Sequence, residues 1–227
     1  FNARLADLYL QTSSYSKAEP ILENLVQIEP ENAFFRSKLA EVETIQNKPE
    51  QAVENYKAAL DLDPQFGPAA AGFIVASSTT PEKLNEAITY IQDKMAQNPN
   101  GNLAAVVVES LIMSGKQADA EAALNQYLGE YPDHSELNHL KAAKQIMQGN
   151  WREGQESALR SLRLDQDLKR VEKRGQSYAE EALMAGEVNS AERMIQEMEN
   201  RQISSEVINI LKKEIEEAKK AQRPNPK

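Results

Sequence analysis

Apolar residues recur along this chain three and four positions apart, and the recurrence is broken at regular intervals by Ser, Gly, Asn and Pro. Leu5, Ala6, Leu8 and Tyr9 make one stripe at helical spacing, and after Ser13-Ser14 a second follows in Ala18, Ile21, Leu22, Leu25 and Ile28. Two amphipathic helices packed as a hairpin are predicted, the second stopped by Pro30. Between them Ser16 and Glu19 have the spacing of a capping box, in which a hydroxyl and a carboxylate satisfy free amides at a helix start.

The same unit returns down the chain. Pro30, Pro64, Pro99 and Pro132 are each preceded by twelve positions by a small residue, Ala18, Ala52, Ala87 and Ala120. A period of about 34 residues predicts stacked hairpins that present an extended surface rather than an enclosed catalytic pocket. In the second unit Leu39, Ala40, Ala52, Tyr56 and Ala59 keep the pattern, and Pro49 is placed where a helix start tolerates a missing amide. The third unit shows Phe73, Ile74, Ala87 and Ile91, with one extra residue expected in the loop Ser77–Thr80. The fourth carries Val107, Val108, Ala120 and Leu124, with Gly115 expected to end a helix in the left-handed region.

The fifth unit has Ala142, Gly149, Trp151, Gly154, Ala158 and Leu162, with Trp151 at the position of Tyr15. It lacks the closing proline and runs through Leu164-Asp165-Gln166-Asp167 into a longer sixth unit marked by Tyr178, Ala179, Gly186, Ala191, Ile195 and Met198. From Ser204 to about Ala221, Val207, Ile208, Leu211 and Ile215 share one face opposite charged residues, as in a terminal capping helix.

These positions resemble the tetratricopeptide repeat, which has Leu, a small residue and Tyr on a first helix, then Ala, a large apolar residue, Ala and Pro on a second. Leu5, Ala6, Tyr9, Ala18, Leu22 and Pro30 follow it in the first unit; Glu43 departs from it in the second, standing where an aromatic is expected. The resemblance implies an all-α, right-handed superhelical solenoid of about six hairpins. The expected units are 1–32, 33–66, 67–100, 101–134, 135–167 and 168–202, with a capping helix over 203–221 and a polar tail over 222–227. In the same register Phe1 falls inside a helix already begun, so the chain is expected to be a fragment of something longer.

Composition narrows the function classes. The net charge of −9 argues against wrapping nucleic acid, whose affinity comes mainly from Lys and Arg on phosphates. The absence of cysteine excludes disulfides, thiolate metal sites and thiol catalysis, and leaves cytoplasm and periplasm both open. No apolar run reaches the roughly 18 residues of a membrane span. His134 and His139 are five apart, a spacing that does not put two ligands on one helical face, and none of the nine glycines forms a phosphate loop. No catalytic residue, cofactor or metal is expected.

The resemblance places binding on the first helices, whose solvent-facing residues line a concave surface. The register puts there Ala3, Asp7, Phe34, Ser37, Glu41, Ala71, Val75, Ala105, Glu109, Ile112, His139, Ile146, Gln176 and Glu180. Some relatives hold a partner's C-terminal carboxylate with a basic clamp; the matching positions here are Ala3, Asp7, Ser37 and Glu41, so that clamp is absent. An apolar middle with acidic rims suits an amphipathic helix or extended segment with apolar anchors and basic flanks. The competing expectation is that Val75, Ala105 and Ile112 are buried against neighbouring helices.

Lys169, Arg170, Lys173 and Arg174, near Arg160 and Arg163, form a basic cluster, read either as a solvated helix face or as a second patch for an acidic partner or another copy. The expected function is a non-catalytic protein-interaction scaffold in assembly or secretion of bacterial envelope machinery, the bacterial setting being implied by the resemblance alone. The alternatives are the substrate-recruiting region of a larger enzyme or regulator whose catalytic domain precedes residue 1, and a self-assembling structural repeat.

Overall fold

In the computed structural model, which describes residues 2–203 and 205–222, the paired stripes become paired helices. Thirteen helices and no strand occur among the described residues. They are α1 (Asn2–Gln11), α2 (Tyr15–Ile28), α3 (Ala33–Ile45), α4 (Pro49–Leu62), α5 (Gly67–Ser77), α6 (Pro81–Gln97), α7 (Gly101–Met113), α8 (Gln117–Glu130), α9 (Ser135–Met147), α10 (Trp151–Leu164), α11 (Leu168–Met184), α12 (Val188–Asn200) and α13 (Glu206–Gln222). No described helix is long and apolar enough to cross a membrane. The expectations for Phe1, for Ser204 as the start of the last helix, and for a tail over 223–227 lie outside the described residues.

The chain divides into two compact units, Phe1–Ala123 and Leu124–Lys227, with the boundary inside α8. In the first, α1 packs on α2, α3 on α4 and α5 on α6, and successive hairpins meet through α2 with α3, α4 with α5 and α6 with α7. The first helices α3, α5 and α7 also touch in series. In the second unit α9 packs on α10, α11 on α12, and α13 covers both α11 and α12. Its apolar stripe, Ile208, Leu211 and Ile215, is buried there, as a capping helix requires.

Small residues let the helices approach. Ala18, Ala52, Ala87, Ala120, Ala158 and Ala191 are all buried, none more than 3% exposed. Around them lie Leu22, Leu39 and Val42 at the start of unit 1 and Leu159, Leu162, Met194 and Met198 in unit 2. Gly72 on α5 faces Tyr56 of α4 so closely that an added Cβ would lie 2.3 Å from the ring Cζ.

Five hairpins turn through three residues whose middle one is left-handed: Ser13, Asn47, Gly115, Gly149 and Gly186. Gly115 is therefore as expected. The α5–α6 connection is different. It also has three residues, but Thr80 caps α6, its Oγ1 accepting from the Lys83 amide at 3.3 Å. The irregularity expected in that loop is taken up by helix length, since α6 begins six residues before Ala87 whereas α4 begins three before Ala52.

The expected capping box does not form. α2 starts at Tyr15, which puts Ser16 inside the helix, and the Ser14 side chain at its N-cap makes no capping hydrogen bond to the helix, bonding to Thr12 instead. Glu19 instead pairs with Lys48 of the next hairpin at 2.5 Å. A hydroxyl and carboxylate three apart serve an N-terminus only when the hydroxyl precedes the first helical residue.

Candidate functional site

Exposure along the first helices of unit 1 separates the two readings of their apolar residues. Phe34 on α3 is 45% exposed, Val75 on α5 54% and Ile112 on α7 40%. Leu8 on α1 and Ile45 on α3, absent from the sequence-derived set, are exposed as well. Ala105, by contrast, is buried and adds no side-chain surface. The burial expectation is right for Ala105 and wrong for Val75 and Ile112.

α5 explains the shape of this face. It contains no charged residue, and its exposed side is Pro68, Ala71 and Val75, spaced to share one stripe. The neighbours α3 and α7 carry the longer exposed side chains Phe34, Ile45 and Ile112. A helix of small exposed residues between two helices of larger ones is lower than its flanks. The half-buried Glu41 pairs with Lys38 at 2.7 Å, and the Lys38 ammonium lies 5.8 Å from the centre of the Phe34 ring. Glu109 is half-buried, Ser37 is buried, and Asp7 and Ala71 are exposed.

The approach to Phe34 is held by hydrogen bonds. Asn32 caps α3 by accepting from the Phe34 amide at 3.1 Å and the Phe35 amide at 3.3 Å, and Arg36 Nε donates to the Pro30 carbonyl at 2.9 Å. Glu29, Pro30, Glu31, Asn32, Ala33 and Phe34 line an open depression of about 710 Å³.

Charge is unevenly shared. Residues 1–123 hold seventeen acidic and nine basic residues, a net −8, while residues 124–227 hold eighteen and seventeen, a net −1. Within unit 1 the acids crowd the second helices, with Glu19 and Glu23 on α2, Glu50, Glu54 and Asp61 on α4, and Glu82, Glu86 and Asp93 on α6. The first-helix face has only Asp7, Glu41 and Glu109 at the expected rim positions. It is apolar first and acidic second.

Unit 2 treats the corresponding positions differently. His139 Nδ1 meets the Tyr178 hydroxyl at 2.5 Å, and burial, with the charge of Arg174, lowers the histidine's pKa. Ile146 is buried against Gly154, whose added Cβ would fall 2.7 Å from Ile146 Cγ1. Gln176 and Glu180 bond to each other at 2.8 Å, leaving Glu180 exposed. His134 caps α9 rather than facing His139, and no group of three His, Asp or Glu able to hold a metal occurs among the described residues.

The basic cluster is likewise divided. Arg170 donates to both oxygens of Asp165 at 2.5 and 2.6 Å; Arg174 donates to Asp165 at 3.0 Å and also pairs with Glu136. The Asp165 side chain is fully buried and the Arg174 side chain only 11% exposed. Arg174 is thus a structural cation, not a surface one, because a buried carboxylate without partners would be costly. Burial pushes the Asp165 carboxyl up, but hydrogen bonds from Arg170 and the Asp167 amide, with the charges of Arg170 and Arg174, outweigh it and hold its pKa below the usual range. Among the described residues, Lys169 and Lys173 are the two of the four that are exposed and in no ion pair.

Arg201 completes this junction. Its guanidinium donates to the carbonyls of Leu162 and Arg163 at 2.7 Å and of Asp165 at 2.5 Å, satisfying the free carbonyls at the end of α10. Asp165 and Arg201 were not singled out from the sequence; the missing proline of the fifth unit was the one available signal.

No family model matches the chain, and no curated protein matches it. Solved structures do. A tetratricopeptide repeat protein from Parabacteroides merdae ATCC 43184 superposes with a TM-score of 0.55 at 15% identity, over 95% of this chain and 83% of that one. PilW, a widely conserved type IV pilus biogenesis factor, gives 0.53 at 16% identity over 92% and 96% of the two chains. PilF of Pseudomonas aeruginosa gives 0.53 at 15% identity over 94% and 96%. At such identities the likeness is one of fold.

Proposed function

We propose that this chain, an all-α protein with the tetratricopeptide-repeat fold, is a non-catalytic interaction module that holds a partner's helix or extended peptide against the first-helix face of unit 1. The observation that carries the reading is the exposure of Phe34, Val75 and Ile112 on three adjoining helices, one of which has no charge at all. Exposed apolar groups on adjoining helices mark interaction surfaces, and a stripe of small residues lets a partner backbone come close. Apolar anchors on the partner supply the contact, and basic flanks suit Asp7, Glu41 and the acidic depression beside Phe34. In unit 2 the corresponding first-helix residues His139, Ile146 and Arg174 are engaged internally.

The role this reading assigns is support of assembly of bacterial envelope machinery. The fold likeness to PilW, a type IV pilus biogenesis factor, supports it. The experiment is quantitative affinity capture with the full chain, comparing wild type with Val75→Asp/Ile112→Asp. Both sites are exposed, so the variant keeps its helical circular dichroism and loses the captured partner. An unchanged partner set with intact fold removes the reading.

A further inference from the structure

The six methionines differ sharply in exposure. Met194 and Met198 sit in the core of unit 2 at 1% and 0% exposure, and Met95 is half-buried on α6. Met113, Met147 and Met184 are 59%, 87% and 81% exposed. Each of these three is the last residue of a first helix, α7, α9 or α11, and each stands two positions before the left-handed glycine of its turn. The glycine makes the turn, so the fold places no demand on the side chain two residues earlier, where any helix-forming polar residue would serve.

Within unit 2 the two thioethers belong to one end. Glu136 pairs with Arg174 and His139 with Tyr178, so α9 and α11 run side by side in the same direction with offsets of 38 and 39 residues. Met147 and Met184, 37 apart, are therefore level with each other at the turn end of these helices. Reactivity of a thioether toward oxidants follows its access to solvent.

We propose that Met147 and Met184 are a modification site, the thioethers of unit 2 that a hydroperoxide oxidises in the folded protein. The sulfur lone pair attacks the terminal peroxide oxygen and the O–O bond breaks. That oxygen stays on sulfur as the sulfoxide, and the remainder leaves, after proton transfer, as water or an alcohol. Sulfur loses two electrons and the peroxide gains them. Each event turns an apolar helix end into a polar one and leaves the core around Met194 and Met198 untouched.

The test treats the full chain with hydrogen peroxide and follows each methionine by peptide mass mapping, in buffer and in urea. In the folded protein Met147 and Met184 gain oxygen about tenfold faster than Met194 and Met198, and urea abolishes the contrast. Met147→Leu/Met184→Leu, at surface positions that do not threaten folding, removes the two earliest oxygen additions seen in the intact mass. Retention on a hydrophobic-interaction column falls further on oxidation of wild type than on oxidation of the variant, which keeps the exposed Met113. Equal rates at all four sites in the folded protein, or a contrast that survives urea, overturns the proposal.

Discussion

Arg174 reaches the fully buried carboxylate of Asp165, its Nη1 3.0 Å from the oxygen that also accepts from Arg170. This contact closes the junction between α10 and α11, where the fifth repeat lacks the proline that ends the first four. Asp165→Asn leaves Arg170 without this carboxylate and Arg174 with Glu136 alone, and is expected to destabilise the chain by about 3 kcal/mol, measured by urea unfolding. Arg170→Met in the same background recovers part of that loss, because it removes the cation stranded by the first change.

The same carboxylate sets an acid limit. Its pKa is lowered in the folded chain from an ordinary value of 3.8. Its contribution to stability is therefore complete above that value and disappears as pH falls through the lower folded value. Between pH 5 and pH 3 the unfolding free energy of Asp165→Asn should decline less steeply than that of wild type.

Glu43 behaves in the opposite sense. It is 6% exposed at the position where the repeat expects an aromatic, and Asn55 donates to both its oxygens at 3.0 Å. Burial raises its pKa, with Glu19 and Glu23 adding to the rise, against the Asn55 hydrogen bond and Lys48. A raised folded pKa means the associated stability is present below the unfolded value of about 4.3 and is lost as pH rises through the folded one. Glu43→Gln keeps a carbonyl for Asn55 and removes the buried charge. Its melting temperature at pH 7.5 should exceed that of wild type by roughly 1–3 °C, and the difference should vanish near pH 4.

Gly72 and Tyr56 test the helix contact between the second and third hairpins. Gly72→Ala pushes a methyl into the Tyr56 ring and should cost roughly 1–3 kcal/mol, as should Ala52→Leu on α4. Tyr56→Leu combined with Gly72→Ala should cost less than the two separate losses added together, since the smaller side chain at 56 makes room for the added methyl, which in turn fills part of the space the ring leaves.

The repeat was readable because it is local and periodic. Ala18, Ala52, Ala87 and Ala120 announce helix crossings by spacing alone, and Pro49 and Gly115 announce a helix start and end by their own backbone limits. Three things were not readable for the same reason. Arg201 caps a helix that ends 37 residues earlier, and Asp165 draws on cations from the next helix; neither pairing has a period. Ser16 and Glu19 have capping spacing, but the boundary moved by two residues and Lys48, 29 residues away, took the carboxylate. The candidate face was legible only to the level of the register. Register places Val75 and Ala105 both on the first-helix face, and the neighbouring helices decide that one is exposed and the other buried.

The central claim is that a partner lies on the first-helix face of unit 1. The direct measurement places a photo-activatable amino acid singly at Val75, Ile112, Glu54 and Glu86 of the full chain and irradiates it in cells of the native organism. The account predicts one common cross-linked partner from positions 75 and 112 and none from 54 and 86 on the second helices. Cross-links from 54 and 86 with none from 75 and 112 would contradict it.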